Sequence, residues 1–219
     1  MRKDAYVGME FETRFFFSSS SKDQLRCKKE EIVETLRNLN FVNLHLDTTE
    51  INYYFQTPQQ KGTLKYTVVL GYGEMGRLAY KRAVSHDNNI VANLEFGENV
   101  EFDRLKEKVM DSNSPAILLE GEFHWNAVDN YRLIQKRSKY VLKSKETSLR
   151  DIHCSIDDII ELRPNVPLHY VSVEFETSVP ETKILQSLGE VTQKFQQKIS
   201  CVPTYNDKMS MFWRKEATE

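Results

Sequence analysis

The sequence predicts a mainly β, α+β fold: a closed antiparallel β-barrel tunnel with a charged lumen and two long helices packed outside it. Three observations carry this expectation. Segments rich in Val, Ile, Tyr and Phe follow one another with few helical interruptions, whereas a parallel doubly wound sheet needs a helix after nearly every strand. Several of these segments alternate charged and apolar residues, so each presents one charged and one apolar face. The charges differ in sign from strand to strand, and closing such a sheet on itself gathers them inside and removes its open edges.

The elements follow in chain order. Tyr6–Phe17 is the first strand, and the Ser18–Ser21 run makes a loop or a helix N-cap. From Lys22 to Leu39, Leu25, Ile32, Val33, Leu36 and Leu39 recur at helical spacing. Strands are expected at Phe41–Leu46, Ile51–Gln56, Leu64–Leu70, Arg77–Ala83 and Ile90–Phe96, with Gly71, Gly73 and Gly76 supplying turn chemistry. A short helix over Phe102–Asp111 precedes strands at Ile117–Trp125, Tyr131–Leu142, His153–Ile156 and His169–Thr177. The second long helix spans Pro180–Ile199, where Ile184, Leu185, Leu188, Val191, Phe195 and Ile199 form its apolar stripe.

Composition bounds the rest. The 219 residues, 40% hydrophobic and 28% charged, suit one domain over residues 1–219, and they are too apolar for a disordered chain. The charged N-terminal stretch is not expected to be a secretory signal, and no segment is apolar enough for a membrane span. Cys27, Cys154 and Cys201 are too sparse for a disulfide framework and point to a reducing, intracellular setting. A net charge of −2 excludes a protein that coats nucleic acid by bulk charge, though not one that concentrates its cations at one site.

The charge patterns supply that site. In Val7–Phe17, Glu10, Glu12 and Arg14 share one face and Phe11, Thr13 and Phe15 the other; in Val171–Thr177, Glu174 and Glu176 oppose Val173 and Phe175. A single strand of this kind is ordinarily a surface strand. Here an acidic pair occurs twice, and three other strands carry the complementary charge: Lys65; Arg77, Lys81 and Arg82; and Arg132, Lys136 and Arg137. Clustered carboxylates are hard oxygen ligands for Mg²⁺ or Mn²⁺, and Lys and Arg clamp phosphate oxygens. Together they describe a cavity for a polyphosphate chain bridged to protein by a divalent ion. The five histidines are not at zinc-ligand spacing, and GYGEMG joins two strands, so it reads as a hairpin and not a phosphate loop. Glu120 and Glu122 form a third E-x-E, on a strand facing either the lumen or solvent.

These motifs resemble the triphosphate tunnel metalloenzymes, which include the CYTH proteins and the metal-dependent RNA 5′-triphosphatases of fungi, protists and viruses. The resemblance runs over nearly the whole chain. INYYFQTP is similar to that family's Tyr-Phe-x-Thr-Pro strand end, GRLAYKRA to its strand ending in a phosphate-binding Lys, and IQKRSKY to its basic strand. IHCSIDDIIEL and TYNDKMS resemble segments that supply an acidic residue and a final Lys. The resemblance implies Glu10, Glu12, Glu174, Glu176 and Asp157 as metal ligands, with the four glutamates and Arg137 catalytic. It implies Arg14, Lys65, Lys81, Arg132, Lys136 and Lys208 as phosphate-binding residues. Arg14 stands where the CYTH branch usually has Lys, and Arg132, Ile134, Lys136 and Arg137 depart in register from the family's R-x-K-x-R pattern.

The function so implied is a Mg²⁺- or Mn²⁺-dependent polynucleotide 5′-triphosphatase. It would remove the γ-phosphate of triphosphate-ended RNA in the first step of mRNA capping and hydrolyse nucleoside triphosphates as well. An mRNA guanylyltransferase is the implied partner and the nucleus the implied place in a eukaryote. Tyr205, Phe212 and Trp213 offer aromatics to stack a nucleobase. The alternatives are hydrolysis of tripolyphosphate or thiamine triphosphate, adenylyl cyclisation of the CYTH type, and a barrel that only binds.

Overall fold

The computed structural model describes residues 5–55, 62–73, 75–87, 89–121, 132–143, 151–163, 169–204 and 208. Among them are nine strands: β1 (Ala5–Ser19), β2 (Phe41–Asn43), β3 (Thr48–Phe55), β4 (Thr63–Val69), β5 (Met75–Asp87), β6 (Ile90–Glu101), β7 (Arg132–Leu142), β8 (His153–Arg163) and β9 (His169–Thr177). The helices are α1 (Lys22–Asn38), α2 (Leu105–Val109, entered through a 3₁₀ turn at Phe102–Arg104), α3 (Pro115–Glu120) and α4 (Thr182–Ile199).

Every pairing among these strands is antiparallel. The order β7-β3-β4-β5-β6-β1-β9-β8 closes when β8 pairs back onto β7, giving an eight-stranded barrel. β2 is the extra strand. It lies on the edge of β7 beyond β3, with Asn43 opposite Tyr140 and Thr48 opposite Arg137. The edge is interrupted between them, where His45 takes a φ of 53°. β1 is long because it is shared: its first half pairs with β6 and its second with β9. That offset is the stagger a closed barrel requires.

The barrel is apolar outside. Phe15, Phe41, Ile156, Val173 and Phe175 form one core with Leu25, Ile32 and Leu36 of α1 and Ile184, Leu188 and Phe195 of α4. A second core, under α2, joins Phe55, Leu64, Tyr66, Leu78, Tyr80 and Val100 to Leu105 and Val109. Phe175 is fully buried, and its ring lies 5.0 Å from that of Phe195, 5.6 Å from Phe41 and 6.1 Å from Phe15. Phe175→Ala is therefore expected to lower unfolding free energy by about 3–5 kcal/mol. Phe11→Ala, at a partly buried position, should cost less in the same denaturant titration.

Three expectations change. The Ile117–Trp125 strand begins instead as helix α3: Ser114 Oγ accepts from the Ile117 amide at 3.2 Å and Pro115 occupies the first turn, a start signal that outweighs the short apolar run behind it. Glu120 thus closes a helix, and Glu122 lies outside the described residues. The second long helix starts at Thr182, not Pro180, with Glu181 as its N-cap. β8 runs seven residues further than the expected His153–Ile156. No helix among the described residues is long and apolar enough to cross a membrane.

Candidate active site

The inward faces of the strands line one cavity of about 1110 Å³. Alternation sends Glu10, Glu12 and Arg14 of β1 into it, and the β1–β9 register sets Glu176 opposite Glu12 and Glu174 opposite Arg14. Motifs separated by most of the chain thereby become neighbours. Glu10, Glu12 and Glu174 each bring a carboxylate oxygen within 4.8 Å of the others.

Two cations sit among these carboxylates. Lys81 Nζ, from β5, lies 2.5 Å from Glu12 Oε2, 2.9 Å from Glu10 Oε2 and 3.7 Å from Glu174 Oε1. Arg14 Nη2 lies 2.8 Å from Glu174 Oε1 and 3.1 Å from Glu12 Oε1. The carboxylates divide into two kinds. Burial pushes Glu12 up to about 7 against the attraction of Arg14 and Lys81. Burial and the neighbouring charges of Glu10 and Glu174 push Glu176 well above the usual carboxylate range. Burial also opposes ionisation of Glu10, but Lys81 and a hydrogen bond with Glu176 outweigh it and hold Glu10 at about 2. Arg14 and Lys81 likewise outweigh burial at Glu174 and hold it well below its ordinary value. The cluster thus shares protons among carboxylates that cannot all ionise cheaply.

A second network lies further along the wall. Arg137 donates from Nε to Asp157 Oδ1 at 2.6 Å and from Nη2 to Oδ2 at 2.8 Å, a bidentate pair. Lys208 Nζ donates to the same carboxylate and, at 2.9 Å, to Gln135 Oε1. Gln135 Nε2 donates to Glu50 Oε2 at 2.9 Å. Burial opposes ionisation of Asp157, but Arg137 and Lys208 hold its carboxyl far below the ordinary range; burial brings Lys208 down to about 8.

Of the residues singled out in the sequence, Glu10, Glu12, Arg14, Lys65, Lys81, Arg137, Glu174, Glu176 and Lys208 line the cavity. The Lys65 side chain makes no ion pair or hydrogen bond with the described residues, and burial lowers its pKa. Asp157, expected with the metal ligands, does not join the glutamates. On β8, Ser155 faces Glu174 while Asp157 faces Ser172, and there Arg137 and Lys208 occupy its oxygens. Lys136 and Arg132, expected on phosphate, lie on the face opposite Arg137. Lys136 is exposed, and Arg132 pairs with Glu161 at 2.5 Å. The pleat alternates strictly, so adjacent Lys136 and Arg137 cannot both point inward. Tyr205, Phe212 and Trp213 lie outside the described residues.

Glu50, Gln135 and Glu95 join the site without having been expected in it. Glu50 is buried and bonded by Gln135; Glu95 is raised by burial and by the Glu10 charge. The sequence does carry a signal, since Glu50, Asn52 and Tyr54 alternate just as Glu10 and Glu12 do. A strand taken to start at Ile51 leaves Glu50 out of it.

No protein-family model matches the chain, and no curated protein matches it. Solved structures do. The PH1819 protein of Pyrococcus horikoshii OT3 is 15% identical, with a TM-score of 0.56 over 94% of this chain and 99% of its own. The PH1012 protein of the same organism is 13% identical, with a TM-score of 0.54 over 85% and 89%. HpAC1 from Hippeastrum, described as revealing a dominant triphosphatase activity, is 12% identical, with a TM-score of 0.53 over 95% and 96%. At such identities the likeness is one of fold, and the barrel is the tunnel architecture that the sequence resemblance implied.

Proposed function

We propose that this cavity is the active site of a divalent-metal-dependent phosphohydrolase that removes the terminal phosphate of a triphosphate chain. The observation that carries the reading is the meeting, on one enclosed wall, of three carboxylates within 4.8 Å with the cations Lys81 and Arg14. The donor set fits Mg²⁺ or Mn²⁺, being all hard oxygen; Glu10, Glu12 and Glu174 would hold the ion, with Glu176 beside them. Bound there, the metal supplies charge withdrawal from the phosphate as the P–O bond breaks. Lys81 and Arg14 neutralise phosphate oxygens at the acidic end. Arg137, held rigid by Asp157, and Lys65 line the same cavity and would pair with further oxygens of the chain. Glu176, which lines the same cavity, would be the glutamate that orients the attacking water. Phosphoryl transfer asks mainly for such positioning and electrostatics.

The finer reading is a polynucleotide 5′-triphosphatase that leaves a diphosphate end, working beside a guanylyltransferase and, in a eukaryote, in the nucleus. Its support is the sequence resemblance of QKRSKY, CSIDDI and VSVEFE to the capping branch. Tripolyphosphate or thiamine triphosphate is the competing substrate class; HpAC1, similar in fold, is described as having a dominant triphosphatase activity. Phosphate release from triphosphate-ended RNA, ATP and tripolyphosphate, with Mg²⁺ and with Mn²⁺, decides between them. Diphosphate ends on the RNA support the capping reading; activity on tripolyphosphate with none on RNA removes it, and no activity on any of the three removes hydrolysis.

The proton sharing in the cluster gives a test that needs no substrate. Glu12, raised to about 7, contributes stability at low pH that is lost as pH rises through that value. Glu10, held at about 2, contributes stability above the ordinary carboxylate pKa that is lost only in strong acid. In chelator, the melting temperature should therefore fall between about pH 5 and about pH 8. Mg²⁺ should restore it most at the upper end, because metal binding displaces the shared protons. A Mg²⁺ effect independent of pH would contradict this.

A further inference from the structure

One end of the barrel is built differently from its charged middle. The antiparallel order brings the start of β1, the end of β6, the start of β5 and the end of β4 to one mouth. Lys208 on Asp157, and the bridge from Thr204 to Arg14, mark the other. At the first mouth Tyr6 lies opposite Gly97, and its ring covers the glycine so closely that a Cβ there would stand 2.3 Å from Tyr6 Cε1. The Arg77 guanidinium lies over the same ring, 4.6 Å from its centroid. It donates to the Tyr6 hydroxyl and sits 3.3 Å from Glu95 Oε1.

Backbone, phenol ring and guanidinium thus pack against one another, with the Tyr6 hydroxyl and Glu95 both holding the guanidinium. The Arg77 end is not buried: the side chain is 51% accessible and lines the cavity. A planar cation backed by an aromatic ring and facing an open cavity is a stacking surface for another planar ring. Exposed Tyr72 and Met75 line the same mouth and add apolar area beside it. The distance also suits. Arg77 and Lys81 point inward from β5 four residues apart, which at the rise of an extended strand is roughly 13 Å. That is comparable to the reach of a triphosphate and its sugar.

We propose that the Gly97–Tyr6–Arg77 stack is a subsite for the nucleobase at the far end of the triphosphate chain, whether carried by a free nucleoside triphosphate or by the first residue of a triphosphate-ended RNA. The proposal rests on the reading of the lumen as a triphosphate site. It makes the enzyme prefer a nucleotide over inorganic tripolyphosphate. Stacking is tolerant of base identity, so preference among bases is slight.

The test compares tripolyphosphate, ATP and a short triphosphate-ended oligoribonucleotide, by steady-state kinetics and by calorimetric binding in Mg²⁺. Arg77→Leu and Arg77→Lys should each lower the kcat/KM ratio of ATP to tripolyphosphate about tenfold, mainly through KM. Gly97→Ala, which tips Tyr6 without removing a charge, should do the same. An Arg77→Lys protein that keeps the full ratio would show that charge alone acts there, and equal losses on both substrates would make Arg77 a general phosphate clamp; either overturns the subsite. A loss on RNA matching that on ATP assigns the ring to the first RNA nucleotide as well, and a loss on ATP alone assigns it to the free nucleotide. Wild-type protein that binds ATP more tightly than tripolyphosphate but hydrolyses neither refutes the hydrolase reading and leaves the subsite standing. Hydrolysis of both with equal affinities does the reverse.

Discussion

Glutamine at Glu12 or at Glu174 is expected to lower triphosphate hydrolysis about a thousandfold or more while the protein stays folded. The two residues sit at the centre of the cluster, each within ion-pair distance of both Lys81 and Arg14. Removing one negative oxygen weakens the hold on a divalent ion and misplaces the two cations that would meet the phosphate. Folding survives because each cation keeps a partner: without Glu12, Lys81 still lies 2.9 Å from Glu10 and Arg14 still lies 2.8 Å from Glu174. The loss of one of several crowded carboxylates also relieves their mutual repulsion. Phosphate release, Mg²⁺ binding by calorimetry and a thermal melt on the same preparations separate these effects. Near-normal turnover in both variants would remove the glutamate cluster from the chemistry.

What the sequence makes legible follows from what alternation carries. A period of two states which residues share a face, and by itself it puts Glu10, Glu12 and Arg14 together. It also makes the aromatics Phe15 and Phe175 the outer, structural face, where they are buried. What alternation does not carry is which strands become neighbours or how far each is staggered. Glu12 meets Glu176 only because β1 is offset between β6 and β9. The same limit explains Asp157. Its partners depend on the β7–β8 register and on Lys208 returning from the end of the chain, and neither is written in a local pattern. Arg132 and Lys136 resemble a motif, but the pleat places them on the other face from Arg137. α3 is hard to read in the sequence because a short apolar run has no period long enough to tell helix from strand, and only Ser114 and Pro115 ahead of that run mark a helix start.

Asp157→Asn is the variant that separates a structural clamp from a metal ligand. The Asp157 carboxylate is fully buried and answers two cations, Arg137 through two hydrogen bonds and Lys208 through a third. Neutralising it strands positive charge in the wall, and breaking a buried pair from one side costs about 3–5 kcal/mol. Unfolding in denaturant should show that loss at neutral pH. Hydrolysis should fall too, because Arg137 loses the fork that fixes its guanidinium. Mg²⁺ affinity should stay close to that of the unaltered protein, since the three oxygens within 4.8 Å of one another come from Glu10, Glu12 and Glu174. Adding Lys208→Met to Asp157→Asn should recover part of the lost stability, because it removes one of the stranded cations; the two residues are in contact and should couple in a double-mutant cycle. A variant of native stability that binds Mg²⁺ as weakly as Glu12→Gln would return Asp157 to the metal and leave Arg137 held mainly by Glu50, whose Oε2 lies 3.8 Å from Nη1.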